Sequence, residues 1–333
     1  MKKVVITDYF KNSKIEKNIL GKNVKIVRLD PKNKNKFIKG ITDADALLVW
    51  HAKINKDVIK KLKKCKAIVR YGVGIDTIDI NYAKKKNIVC ANTPDYGINE
   101  VADTAGGFII SLARKLLIYN LNSKNYKKGW QENVLNENKK NPVKRGNQHN
   151  LGIIGFGRIG SAVALRMKSF GMKIGFYDPY VEVKVARRLG IKKFNKMSEL
   201  LKFASIISIN CTLNRDTKGI VNKRFINKLN KNTILVNTAR GTIVDKLDSL
   251  FKGLKSGKIG GVGLDVLPEE PPKKQEKLIK AWKDINHSLN SKIIINPHAG
   301  YYSSTSVIEM RVKAAENVKR SLKGLKLKNI VNN

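Results

Sequence analysis

Along the 333 residues, short apolar runs rich in Val and Ile alternate with longer stretches of helical spacing. That alternation is the mark of βαβ units, because strands of a parallel sheet are covered on both faces and read as nearly continuous hydrophobic runs. In the first hundred residues the runs predict strands at 3–8, 24–29, 46–50, 67–71 and 88–91, with helices such as 56–64 between them. Six more are predicted at 151–154, 173–177, 205–209, 233–236, 261–264 and 292–295, enough for a full Rossmann sheet. The pattern therefore predicts the α/β class, with two doubly wound parallel-sheet domains. Residues 99–119, long and apolar with Gly106-Gly107 inside, read as one hinge helix packed closely on another backbone. Residues 124–150 read as a polar surface excursion in which Trp130 serves as an anchor, and 306–323 as an amphipathic helix returning to the first domain.

Composition narrows the classes. Hydrophobic residues make up 42% and charged residues 28%, which excludes a chain that is disordered throughout. No window approaches the roughly 18 apolar residues of a membrane span. The first apolar run, Val4-Val5-Ile6, is too short for a secretory leader, so a cytoplasmic location and no membrane partner are expected. Cys65, Cys90 and Cys211 lie too far apart for a disulfide framework or a C-x-x-C site, and with four histidines no metal is expected. The net charge of +41 would suit a polyanion binder, yet the cations are 54 Lys against 13 Arg, and recognition of phosphates and base edges leans on Arg. With 34 Asn alongside, the excess reads as compositional bias, and no specific nucleic acid is expected.

The first chemical motif follows the 151–154 strand: Gly155-Phe156-Gly157-Arg158-Ile159-Gly160, opening directly into a helical segment. Strand, glycine turn and helix in that order suit a dinucleotide. Gly155 permits the turn, Gly157 lets a pyrophosphate approach the backbone, and Gly160 lets helix pack on strand, while the helix start offers free N–H groups at the positive end of its dipole. The next strand ends at Asp178, placed to accept ribose hydroxyls and to repel a 2′-phosphate, which favours NAD. Lys184, Arg187 and Arg188 beyond it read as a solvated helix face.

Ligands of open α/β sheets collect outside the carboxyl ends of the strands. Three later strands run into Asn237-Thr238-Ala239-Arg240-Gly241, into Asp265 through Glu269, Glu270 and Pro271, and into Pro297-His298-Ala299-Gly300. An Arg, an acid and a His would thus share one edge. The trio suits hydride transfer at a 2-hydroxy acid: Arg for the carboxylate, His for the hydroxyl proton, and an acid to orient the His and favour its charged form. His51, at a strand end in the first domain, is a candidate pocket wall; His149 and His287 read as bystanders in polar loops.

These residues resemble the D-isomer-specific 2-hydroxyacid dehydrogenases, the family of phosphoglycerate, glycerate and formate dehydrogenases. The likeness covers nearly the whole chain and includes Arg70 through Asp79, the glycine motif with Tyr177-Asp178-Pro179, Leu235 through Gly241, Asp265 through Pro271, and Pro297-His298-Ala299. It implies a Rossmann NAD-binding domain at 101–296 inserted in a flavodoxin-like substrate domain made of 1–100 and 297–333. It also implies Arg240, Glu270 and His298 as the catalytic residues, Glu270 being the acid directly before Pro271. Gly155, Gly157, Arg158, Ile159, Gly160, Asp178, Thr104, Cys211, Thr212, Thr238, Ala239 and Asp265 would hold NAD, with Asp265 on the nicotinamide carboxamide. Val73 and Gly74, joined by Arg240, His51 and Tyr301, would hold a small anionic 2-hydroxy or 2-keto acid, and a homodimer is the usual assembly. Residues 297–303, Ile308 through Arg311 and the Trp50-His51 pair also resemble the subgroup of the C-terminal-binding-protein corepressors. The second function class is therefore an NAD(H)-sensing binding protein without turnover. Asn210 stands where the family usually has His, and no regulatory domain is expected after Asn333.

Overall fold

This computed structural model describes residues 1–8, 10–124, 130–139 and 141–332. The chain divides into two compact units, one made of Met1–Gly97 with Tyr302–Asn333, the other of Ile98–Tyr301. The first holds a five-stranded parallel sheet: β1 (Lys2–Ile6), β2 (Val24–Arg28), β3 (Ala46–Val49), β4 (Ala67–Arg70) and β5 (Val89–Ala91), in the order β2-β1-β3-β4-β5. This is the flavodoxin-like order. Alternate residues feed two cores: Val5, Leu47, Val49 and Ile68 pack on one face, Val4, Ile6, Leu48 and Val69 on the other. Burial on both faces is why these strands read as unbroken apolar runs.

The helix Ser304–Leu322 covers the second face with Met310, Ala314 and Val318. It also carries Arg311, which donates from Nε and an NH2 nitrogen to the two oxygens of fully buried Glu16, at 2.8 and 2.6 Å. Buried Tyr71 donates its hydroxyl to the same carboxylate at 2.9 Å. Three polar groups are thus satisfied together under an apolar cover, the condition for burying charge.

The second unit holds a seven-stranded parallel sheet where six strands are predicted: β6 (Asn150–Ile154), β7 (Lys173–Tyr177), β8 (Lys192–Lys193), β9 (Ile206–Ile209), β10 (Thr233–Asn237), β11 (Ile259–Leu264) and β12 (Ile293–Ile295). The order is β12-β11-β10-β9-β6-β7-β8. The extra strand, β8, is two lysines long and has no apolar pattern to reveal it. The predicted single helix at 99–119 is two helices, Ile98–Ala113 and Leu116–Lys124, because Lys115 takes a left-handed φ of 55° between them. Of the glycine pair only Gly106 is close to a neighbour, a methyl there standing 3.0 Å from Met167 Cε; the first helix also packs on the β11 backbone, where a methyl on Gly263 would stand 2.7 Å from Phe108 Cβ. Trp130, in the 124–150 excursion, is 60% exposed, and residues 125–129 and 140 of that excursion lie outside the described residues.

Candidate active site

The strand order of the second unit reverses between β6 and β9, and there the glycine turn sits. Gly155 has φ +86°, and a methyl on it would stand 2.5 Å from the backbone N and Cα of Cys211. Gly160 is equally constrained, since its methyl would stand 2.1 Å from the Gly155 carbonyl oxygen. Gly157, the N-cap of the helix Arg158–Ser169, has nothing within 4 Å and no side-chain cap. The first N–H groups of that helix, on Arg158 and Ile159, have no intrahelical acceptor. Asp178 Oδ2 accepts Phe156 N–H at 2.8 Å and Oδ1 accepts Tyr180 N–H at 2.9 Å, so the carboxylate holds the glycine turn as well as its own loop. Lys184 is paired with Glu182 at 2.8 Å; the side chain of Arg187 lies outside the described residues.

Two buried atoms at the same edge lack a hydrogen-bond partner, Asn210 Oδ1 and Thr238 Oγ1. Open space over Gly157, free helix-start N–H groups and unsatisfied buried polar atoms fit a dinucleotide. Burial pushes the Cys211 thiol up to about 11, so it stays neutral beside the turn. Thr212 is exposed, its carbonyl accepting the Thr217 hydroxyl at 2.6 Å.

Three loops carry the predicted catalytic residues. After β10, buried Asn237 accepts Ala239 N–H at 3.1 Å and donates to the Arg240 carbonyl at 2.9 Å, clamping the Thr238-Ala239-Arg240 turn. Gly241 then packs on the next loop so tightly that a methyl would overlap the Leu267 carbonyl at 1.9 Å. In that loop Glu270 Oε1 accepts Leu267 N–H at 2.9 Å and Oε2 meets His298 Nδ1 at 2.8 Å. Burial would raise the Glu270 carboxyl, but the bond and charge of His298, the Leu267 N–H and the nearby Arg240 charge hold it below its ordinary value. Glu269, the other candidate, is exposed and pairs with Lys273 at 3.4 Å. Arg240, Glu270 and His298 are thereby brought to one edge.

His298 sits in a left-handed turn, φ 55°, and Asp265 organises that turn. The Asp265 carbonyl accepts His298 N–H at 2.8 Å, and its Oδ1 accepts both Ala299 and Gly300 N–H at 2.9 Å. Nothing in the sequence signals this second duty of Asp265, whose partners lie 34 and 35 residues away. Burial raises its pKa, against the lowering effects of His298 and the two N–H bonds. Thr104 donates to the Gly300 carbonyl at 3.3 Å, on the far side of the same turn, and Tyr301 follows it half-buried.

In the first unit, His51 Nδ1 lies 3.3 Å from Asp8 Oδ1, and that buried carboxylate also accepts the N–H of Trp50 at 2.7 Å and of His51 at 2.9 Å. The exposed Val73 and half-buried Gly74 follow β4 on the same carboxyl edge as His51. A cavity of about 550 Å³ in this unit, beside the Ser304–Leu322 helix, includes none of the predicted site residues. His149, read as a loop bystander, is 8% exposed at the start of β6 and hydrogen-bonded to Ser205 Oγ at 3.2 Å. Among the described residues no group of three or more His, Cys, Asp or Glu could hold a metal, and no helix is long and apolar enough to cross a membrane.

Residues 107–300 match the profile of the D-isomer specific 2-hydroxyacid dehydrogenase NAD binding domain, over half of the chain. The chain belongs to this family. All of the family member aligns with D-3-phosphoglycerate dehydrogenases from Methanocaldococcus jannaschii, at 33% identity, and Bacillus subtilis, at 30%. It spans about 60% of the length of these relatives. Among solved structures it resembles D-lactate dehydrogenase from Aquifex aeolicus complexed with NAD and lactic acid, with a TM-score of 0.81 and 26% identity over 100% of this chain and 99% of that one. A protein from Thermus thermophilus gives a TM-score of 0.84 at 26% identity, covering 99% of each chain.

Proposed function

We propose that this family member is an NAD-dependent oxidoreductase interconverting a D-2-hydroxy acid and its 2-keto acid. The observation that carries the reading is the 2.8 Å bond between His298 Nδ1 and Glu270, set beside Arg240 on the sheet edge that bears the glycine turn. Phosphoglycerate and lactate, the acids in the names of the relatives, are both 2-hydroxy acids. Gly155, Gly157, Arg158, Ile159, Gly160, Asp178, Thr104, Cys211, Thr212, Thr238, Ala239 and Asp265 would hold the dinucleotide, which supplies a hydride when bound.

The remaining work falls to the protein. With Nδ1 committed to Glu270, His298 presents Nε2 to the substrate oxygen, giving a proton during reduction and taking one during oxidation. Glu270, held below its ordinary carboxyl value, stays ionised and fixes the ring through Nδ1. Arg240 would pair with the substrate carboxylate and draw electron density from the carbonyl. The family likeness further implies substrate contacts at Tyr301 and, in the first unit, at His51 and the backbone of Val73 and Gly74. The working form would be a cytoplasmic homodimer. Incubation with NADH and a panel of 2-keto acids (glyoxylate, hydroxypyruvate, pyruvate and bulkier homologues) should show NADH loss with at least one. Tight NADH binding with no oxidation across the panel would replace this reading by a sensor without turnover.

A further inference from the structure

We infer that Asp265 is a positioning residue for His298, acting through the turn that follows β12. The inference rests on the acid–base reading of His298 above and goes beyond any direct contact of Asp265 with a cofactor. An imidazole that must serve both Glu270 and a substrate oxygen needs its backbone fixed, yet His298 stands at φ 55°, a conformation that L side chains adopt only when their surroundings impose it. Asp265 supplies three of those constraints: its carbonyl takes the His298 N–H, and Oδ1 takes the next two N–H groups, of Ala299 and Gly300. Gly300 lies so close that a methyl on it would meet Asp265 Oδ2 at 2.7 Å, so the carboxylate also sets how near the turn can come. Thr104 holds the Gly300 carbonyl from the opposite side. Removing the Asp265 side chain frees two N–H groups next to the catalytic candidate and leaves the left-handed residue without its support.

The requirement is for an acceptor oxygen at the Oδ1 position, not for negative charge. Asn can supply that oxygen and Ala cannot. The test compares Asp265→Ala, Asp265→Asn and Thr104→Val, each alone and combined with His298→Ala, using kcat at saturating NADH and keto acid, NADH Kd by fluorescence titration, and melting temperature. Working at saturation separates placement of His298 from any loss of cofactor affinity. Asp265→Ala is expected to lower kcat about 10²-fold, the penalty for misplacing a reacting group by about 1 Å. Asp265→Asn should retain at least about tenfold more kcat than Asp265→Ala. In the His298→Ala background, Asp265→Ala should cost under about threefold more, because the group it positions is gone. Thr104→Val should show a smaller fall in kcat that likewise disappears in the His298→Ala background, and it carries the test if Asp265→Ala does not fold. Equal losses from Asp265→Ala with and without His298, or Asp265→Asn as slow as Asp265→Ala in folded protein, would overturn the inference. A His298→Ala enzyme with unimpaired kcat would instead remove the acid–base reading beneath it.

Discussion

Gly157 and Gly160, three residues apart, should fail in different ways when each is changed to alanine. At Gly160 the new methyl would sit 2.1 Å from the Gly155 carbonyl oxygen, where ordinary contact begins near 3.4 Å, so strand and helix must part by more than an ångström. Both sides of that contact are backbone, and neither can rotate away. Overpacking of this kind costs about 1–3 kcal/mol, and the clash argues for the upper end. At Gly157 nothing lies within 4 Å and φ is −77°, an ordinary value for alanine. Its helix-capping loss of up to about 1 kcal/mol is set against a gain of about 0.4–1 kcal/mol from a less flexible unfolded chain, for a net change within about 0.5 kcal/mol. The methyl nevertheless occupies the space through which a pyrophosphate would reach the helix start, so NADH Kd should rise at least about tenfold, or about 1.4 kcal/mol. Thermal unfolding and titration of protein fluorescence with NADH measure the two quantities. Gly160→Ala should lose both stability and affinity, and Gly157→Ala affinity alone. Wild-type NADH binding by a stable Gly157→Ala variant would show that the phosphates do not pass over Gly157 and would refute the assignment.

Asp178 should make NADH at least about tenfold more efficient than NADPH in kcat/KM, a repulsion of about 1.4 kcal/mol; because its oxygens also hold Phe156 and Tyr180, Asp178→Ala should weaken both cofactors rather than reverse the preference. Equal efficiency of the two cofactors with the wild type would contradict this. Arg311→Met should lower unfolding free energy by about 3–5 kcal/mol in urea titration, since it leaves the buried Glu16 charge without its cation, held only by the Tyr71 hydroxyl; a loss below about 1 kcal/mol would mean that water reaches the carboxylate. Burial, aided by Lys144, lowers the pKa of His149 below its ordinary 6.5, so the unfolded chain binds the proton first and stability should decline as pH falls below about 6.5. His149→Leu should flatten that part of the stability profile, and an unchanged slope would place the pH dependence elsewhere.

Much of this protein is legible without coordinates because its signals are local. Among the described residues, eleven of the twelve strands appear as apolar runs, and those inside the sheets, such as β3 and β9, are buried at every position because both faces are covered. The glycine turn is legible for the same reason: two of its glycines answer constraints within their own strand–turn–helix unit, φ at Gly155 and close backbone approach at Gly160. Arg240 and His298 stand out because each lies three residues past a strand end. What the tertiary structure alone decides are relations between segments far apart in the chain. The bond from Glu270 Oε2 to His298, 28 positions on, is one: the family likeness picks Glu270, but the path of the loop behind Gly241 makes the contact while Glu269 pairs with Lys273. Asp265 reaches over 34 and 35 positions to hold Ala299 and Gly300, and Arg311 over 295 to hold Glu16. Composition places His149 in polar surroundings, whereas the fold buries it against Ser205, 56 residues on. Periodicity records which way a side chain faces along its own element, but a hydrogen bond between elements depends on strand order and loop course, and those are settled only when the sheets assemble.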